Sequence, residues 1–342
     1  MSIEMLFFEY RQSEEKYFNQ YDCGCFNVSF FTYPLNKKTI EQIPNEILEH
    51  VTVISVFVNS DIDKEVLKQF KNLRMINTRS TGYDHIDIDF CKEHNIAVTN
   101  VENYGSNAVA QYTFTLILAL IRNLIPANSC LKDEFKKNTS FLGHNLNNLT
   151  IGVIGTGAIG GSVCQIAQAF GMQVLAYDLK PKKEMTHRCN VKYVTLNEIF
   201  EKADIISLHA PYTKENKNML SKTEFDKMKK RPYIINTSRG ELINLTDLKE
   251  ALENNIIAGA GLDVMTCEQL TFKCEGPCDV EEFNSLTCIE ELKIVKEIIN
   301  MPNVIITPHI AYETQEAIDY ILERSMNGIR EYFKGTTIDR VV

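Results

Sequence analysis

The chain lacks a surplus of positive charge. Its 36 lysines and arginines face 45 aspartates and glutamates, for a net charge of −9. That excludes the broad basic surface a nucleic-acid backbone selects, so no nucleic-acid partner is expected. It also lacks a long apolar run. The longest, Phe114–Ile121 (FTLILALI), is closed by Arg122 and falls well short of the roughly 20 residues a bilayer demands, so no membrane span is expected. The first residues, MSIEMLFFEYRQSEE, place no basic stretch ahead of an apolar core, so no secretory leader is expected. Internal repeats and low-complexity tracts are missing too. Among ten cysteines (Cys23, Cys25, Cys91, Cys130, Cys164, Cys189, Cys267, Cys274, Cys278 and Cys288) the paired C-x2-C of zinc ribbons is absent. The last four, spaced C-x6-C-x3-C-x9-C, therefore predict no metal. The expectation is free thiols in a reducing, cytoplasmic setting.

What is present is ordinary globular material. At about 100–200 residues per domain, 342 residues suggest two domains. Apolar, β-branched runs recur at Met5–Phe8, Val28–Phe31, Val51–Val58, Arg74–Asn77 and Ala97–Val101. A second series follows at Thr150–Ile154, Gln173–Tyr177, Ile205–His209, Tyr233–Thr237, Ala260–Val264 and Val304–Thr307. These runs are continuously hydrophobic, as strands covered on both faces are, and helix-like segments separate them. The pattern predicts α/β architecture with parallel sheets. Ala108–Leu124 reads as a long helix, apolar around most of its circumference, that must be buried under a domain or in a subunit interface. Cys267–Leu286 reads as a long loop.

Thr150–Gly161 (TIGVIGTGAIGG) carries the strongest motif. Gly155, Gly157 and Gly160 form G-x-G-x-x-G between a strand and an apolar helix, Ser162–Phe170. The first glycine permits the tight turn, the second lets backbone approach a pyrophosphate, and the third packs helix on strand. The helix N-terminus then faces the phosphates. Asp178 ends the next strand, where an acid accepts ribose hydroxyls and disfavours a 2′-phosphate, which predicts NAD over NADP. The motif begins at residue 155, so the nucleotide domain follows, or is inserted in, another domain. The remaining strand ends supply His209-Ala210-Pro211, Thr237-Ser238-Arg239, Asp263 with Glu268 five residues on, and Pro308-His309. Ligands of open α/β sheets bind at those ends. His209 reads as structural or cofactor-flanking.

Seven stretches together resemble the NAD-dependent D-specific 2-hydroxyacid dehydrogenase family. They are TRSTGYDHID (78–87), NYGSNAVAQY (103–112), VIGTGAIG (153–160), LHAPYTKEN (208–216), INTSRGELIN (235–244), AGLDV (260–264) and MPNVIITPHIAY (301–312). Within the family the chain is most similar to D-lactate dehydrogenases, including the type associated with vancomycin resistance. The resemblance implies two Rossmann-like, doubly wound parallel-sheet domains with the active site in the cleft between them. Residues 1–103 plus 308–342 would bind substrate, and 104–307 would bind NAD. It also implies a homodimer held partly by the long helix.

The same resemblance implies roles. Arg239 would pair with the substrate carboxylate and C2 oxygen. His309 would exchange a proton with that oxygen, and Glu268 would orient the imidazole. The amides of Thr81 and Gly82, with Tyr104, would hold the carboxylate, and Tyr312 would wall the pocket. Ala158 and Ile159 would lie under the pyrophosphate. His209, Ala210, Pro211, Asn216, Thr237 and Ser238 would line the cofactor, and Asp263 would sit near the carboxamide. The chain departs from the family where S-P-N-A is replaced by Gly105-Ser106-Asn107-Ala108, and where Gln111 replaces a helix acid. Aromatic walls favour pyruvate as the 2-keto acid. A larger 2-keto acid of the hydroxyisocaproate or phenyllactate type is the alternative, and a non-catalytic NAD sensor the remote one.

Overall fold

The computed structural model describes every residue except 1–2, 21–25, 103, 133–139, 269–285 and 337–340. The chain divides into two compact units, Met1–Tyr104 with Glu313–Val342, and Gly105–Tyr312. His309 and Tyr312 therefore belong to the second unit.

The first unit is a parallel five-stranded sheet in the order β2-β1-β3-β4-β5. Its strands are β1 (Ile3–Phe7), β2 (Phe26–Phe30), β3 (Val53–Val56), β4 (Met75–Thr78) and β5 (Ala97–Thr99). The register aligns Met5, Val53, Met75 and Ala97 in one row across the sheet, and Leu6, Ile54, Ile76 and Val98 in the next. The first row packs on Leu322, Met326 and Ile329 of the C-terminal helix Gln315–Phe333. The second packs on Leu48, Leu67 and Cys91 from the opposite side. Both faces are covered, which is why these strands read as unbroken apolar runs.

The second unit is a parallel seven-stranded sheet in the order β12-β11-β10-β9-β6-β7-β8. Its strands are β6 (Thr150–Ile154), β7 (Gln173–Tyr177), β8 (Lys192–Tyr193), β9 (Ile205–Leu208), β10 (Tyr233–Asn236), β11 (Gly259–Leu262) and β12 (Val304–Ile306). The order reverses at β6 and β9, the switch point where such sheets bind ligands. Three helices matter below: α1 (Ser106–Ile121), α2 (Leu124–Lys132) and α3 (Ala158–Ala169).

The expected single helix over 108–124 is thus two. α1 stops at Arg122, Asn123 takes a left-handed φ of 51°, and α2 leaves at a 60° bend. Asparagine tolerates that conformation well enough to end a helix. The apolar circumference of α1 is explained within its own unit. Phe114, Ile117 and Leu120 pack with Val163, Cys164 and Ala167 of α3 and with Val153 and Ile235 of the sheet. No single helix among the described residues is long and apolar enough to cross a membrane.

Candidate active site

The glycine loop sits at the carboxyl end of β6. Gly155 has φ +92°, and a Cβ there would lie 2.6 Å from the His209 carbonyl oxygen, so only glycine fits. A Cβ on Gly160 would collide with the Gly155 carbonyl, whereas one on Gly157 would meet nothing within 4 Å. The loop is therefore closed towards protein and open at Gly157. There α3 begins with Ala158 and Ile159, and no side chain caps it. Its first amides lack intrahelical partners and point outward, a cradle that suits a pyrophosphate.

Asp178, just beyond β7, fixes this loop from below. Its Oδ2 accepts the Thr156 amide at 2.6 Å and the Thr156 hydroxyl at 2.9 Å, and Oδ1 accepts the Lys180 amide at 2.8 Å. Burial pushes its pKa up, but the donors from Lys180 and Thr156 and the charge of Lys182 outweigh it and hold the carboxyl below its ordinary range.

On the next strand, His209 Nε2 lies 2.8 Å from Ser207 Oγ, while its Nδ1 is buried and has no partner among the described residues. Burial drives this imidazole down to about 3, so it stays neutral at physiological pH. Asn216 turns inward on its own loop, accepting the Thr213 amide at 2.7 Å and donating to the Pro211 carbonyl at 2.8 Å. The Ser238 hydroxyl donates to the Ala210 carbonyl at 2.5 Å, and the hydroxyls of Thr237 and Thr113 meet at 3.1 Å.

Arg239 follows β10 and is half-buried, with Nη1 donating to the Ser238 carbonyl at 2.8 Å. Gly240 lets this turn press against the Met265–Thr266 backbone, where a Cβ would collide. The Arg239 turn thereby abuts the segment that carries Glu268. Glu268 Oε2 stands 2.7 Å from His309 Nδ1, and its Oε1 accepts the Met265 amide at 3.2 Å. The two side chains are each 24% exposed, so the pair is shielded yet reachable. The ring edge of Tyr312 stands against His309, with centroids 6.4 Å apart.

His309 has φ +55°, a strained value for a residue with a side chain. The neighbour that enforces it is Asp263. Its carbonyl accepts the His309 amide at 2.8 Å. Its carboxylate accepts Thr307 Oγ1 at 2.6 Å and the amides of Ile310 at 3.0 Å and Ala311 at 2.9 Å. The Tyr112 hydroxyl in turn bonds Thr307. Burial raises the Asp263 pKa, against these donors. Sequence reasoning assigned Asp263 to the cofactor carboxamide and missed Thr307 and Tyr112. In this structure both carboxylate oxygens of Asp263 hold the histidine turn.

In the first unit, the Thr81 hydroxyl donates to the Val101 carbonyl at 3.0 Å and Ser80 Oγ donates to the Gly82 carbonyl at 2.6 Å. The amides of Thr81 and Gly82 donate to no group among the described residues. Tyr104 closes this unit, partly exposed. Sequence reasoning gave no role to Arg79, which is 1% exposed directly before this turn. Its guanidinium lies 3.8 Å from the Phe7 ring centroid and donates to the Phe8 carbonyl at 2.7 Å and to Ser55 Oγ at 3.1 Å. Glu9 ties the neighbouring loop, accepting the Phe57 and Asn59 amides and the Ser60 hydroxyl within 2.9 Å.

The cysteine expectation needs correction. Cys267 and Cys288 form a disulfide, with Cα atoms 5.7 Å apart, a separation that admits the bond. Cys91, Cys130, Cys164 and Cys189 are free, while Cys23, Cys25, Cys274 and Cys278 lie outside the described residues.

The sequence model for the NAD binding domain of the D-isomer specific 2-hydroxyacid dehydrogenases matches residues 114–311, more than half of the chain. The chain belongs to that family. The D-lactate dehydrogenase of Aquifex aeolicus, solved with NAD and lactic acid, is similar at a TM-score of 0.85 and 33% identity, over 97% of this chain and 96% of that one. A D-lactate dehydrogenase of Streptococcus agalactiae is 33% identical over 319 residues, 90% of each chain. An aromatic 2-oxoacid reductase of Clostridium sporogenes is 36% identical over 287 residues, 83% of each. The protein is thus an NAD-dependent D-2-hydroxyacid dehydrogenase, an oxidoreductase.

The open Gly157, the uncapped start of α3 and Asp178 fit NAD. Asp178→Asn should therefore raise KM for NADH about tenfold, the worth of a charge-assisted hydrogen bond, and narrow the preference over NADPH. A second readout follows from the lowered pKa. A carboxyl lowered on folding stabilises above its unfolded pKa of about 3.9, and that stabilisation is lost as pH falls through the folded value. The Tm gap between wild type and Asp178→Asn should be open at pH 7 and close towards pH 3. A gap independent of pH would contradict the assignment.

Proposed function

We propose that this enzyme reduces pyruvate to D-lactate, with Arg239, Glu268 and His309 as its working groups. The observation that carries the reading is the 2.7 Å contact between Glu268 and His309, beside the Arg239 turn. Bound NADH supplies the hydride to C2. The chain's residues position the acid and balance the charge. Arg239 offers two parallel donors on a permanently charged fork, which match a carboxylate and the adjacent C2 oxygen. His309 gives its Nε2 proton to that oxygen as negative charge develops, and takes one back in the reverse direction. Glu268 holds Nδ1, which fixes the ring so that Nε2 faces the substrate. Within the first unit, the Thr81 and Gly82 amides, which donate to no group among the described residues, are suited to donate to a carboxylate. The buried Tyr312 beside His309 supports a small side chain at C3.

Arg239→Lys should raise KM for pyruvate about 30- to 100-fold, the cost of losing a paired charge-assisted contact of roughly 2–3 kcal/mol. The KM for NADH should stay put. Unchanged steady-state constants for pyruvate would remove Arg239 from the site. A larger 2-keto acid is the second reading, favoured by the 36% identity to an aromatic 2-oxoacid reductase. Ranking kcat/KM for pyruvate, 2-ketoisocaproate and phenylpyruvate decides between them, with pyruvate expected first. The same reading includes a homodimer. Leu124, Ile125 and Leu131 of α2 are 58%, 50% and 60% exposed and offer an apolar face, and light scattering at twice the chain mass is the expected result.

A further inference from the structure

We infer that Cys267 and Cys288 are a reversible thiol–disulfide site, taking a small-molecule disulfide such as oxidised glutathione, and that its oxidation state sets how firmly Glu268 is held against His309. The inference rests on reading Glu268 and His309 as the working pair. Cys267 immediately precedes Glu268 and has φ +53°, a left-handed value that a cysteine seldom holds unaided. Upstream, Asp263, Val264 and Met265 are buried and fixed. Cys267 itself is bonded to Cys288, on the helix Leu286–Ile298. That helix is anchored by Val295 and Ile298, which are 3% and 0% exposed within the core. The disulfide therefore ties the residue beside Glu268 to the core of the unit, and reduction removes that tie and loosens the hold of Glu268 on His309.

The site is reachable. Both cysteines are half-buried, as is Glu291, whose Oε2 lies 3.4 Å from Cys267 Sγ, placed to accept a hydrogen bond from the thiol when the pair is reduced. Oxidation balances as exchange. One protein thiolate attacks a sulfur of glutathione disulfide, the S–S bond breaks, and the first glutathione leaves as a thiol after taking a proton. The second protein thiolate then attacks the mixed disulfide, the internal S–S bond forms, and the second glutathione leaves. Two protein thiols are oxidised and one small disulfide is reduced to two thiols.

The test equilibrates the full chain across ratios of reduced to oxidised glutathione. Alkylation and mass spectrometry count the thiols at 267 and 288. Parallel samples give kcat with pyruvate, KM for NADH, and the ring signal of His309 in protein carrying labelled histidine, assigned by its loss in His309→Asn. The expected result is one reversible two-electron transition. Across it, reduction lowers kcat at least fivefold, moves the His309 signal and leaves the KM for NADH unchanged. Cys288→Ser should behave as the reduced form at every ratio, and Cys130→Ser, on α2, as wild type. Three results would overturn the inference. The two thiols stay alkylated at every ratio, or the transition occurs with kcat and the His309 signal unmoved, or the reduced pair with Glu291 binds zinc and only metal addition restores kcat. If no 2-keto acid is turned over, the functional reading fails, while the alkylation count and the His309 signal still decide the coupling.

Discussion

Replacing His309 by asparagine should lower kcat for pyruvate reduction by about 10²- to 10⁴-fold, the range for removing a positioned general acid. Asparagine is the informative choice. Residue 309 sits at φ +55°, a region asparagine tolerates, and the backbone bonds to Asp263 and Thr307 do not depend on the side chain. The turn should therefore survive while the proton donor disappears. Binding of NADH, read by its fluorescence, should be unchanged, because the glycine loop and Asp178 lie on other strands. A kcat within fivefold of wild type would mean that another group supplies the proton. His209, neutral through burial that takes it down to about 3, is a poor replacement at physiological pH.

The second large effect is on stability. Arg79→Met should destabilise the first unit by about 3–5 kcal/mol, the usual cost of removing one member of a buried ionic cluster. The guanidinium is almost fully buried, and its loss leaves the Phe8 carbonyl and Ser55 hydroxyl without their donor. It also strands Glu14, a carboxylate already pushed up by burial and held down by the charges of Arg79 and Arg11. The first melting transition should fall by roughly 6–20 °C, at about 2–4 °C per kcal/mol for a unit of this size. Adding Glu14→Gln to Arg79→Met should recover part of the loss, since the uncompensated charge is gone. A double variant no more stable than the single one would deny the coupling. The consequence reaches function through placement. Arg79 joins the ends of β1, β3 and β4 immediately before the Thr81–Gly82 turn.

Much of this architecture was legible because burial on both faces leaves a strand no polar positions. Every expected run became a strand, and the boundaries moved by a few residues. β8 was not legible, since Lys192–Tyr193 is two residues long and pairs only on the edge beside β7. The break between α1 and α2 was hidden as well. Apolar periodicity continues through Leu124 and Ile125, and the signal against one helix is Asn123 with Pro126 after it, a proline that the first turn of a new helix accepts. The nucleotide loop was legible because each glycine answers a local steric demand.

The histidine turn was only half legible. His309 and Glu268 stand 41 residues apart, and their pairing emerged from resemblance rather than spacing. The use of Asp263 as the anchor of that turn depends on β11 and β12 being neighbours in the sheet, a three-dimensional fact. The disulfide was missed for the same reason: with ten cysteines, spacing alone cannot name the pair that the fold brings together.

The central claim is stereospecific reduction at C2 by a chain of this family, so the deciding measurement is the chirality of the product. Purified protein is given NADH and pyruvate, and the lactate formed is resolved on a chiral column alongside the NADH consumed. The account predicts D-lactate equal in amount to the NADH oxidised, with both lost together in His309→Asn. Formation of L-lactate, or no oxidation of NADH with pyruvate, 2-ketoisocaproate or phenylpyruvate, would contradict it.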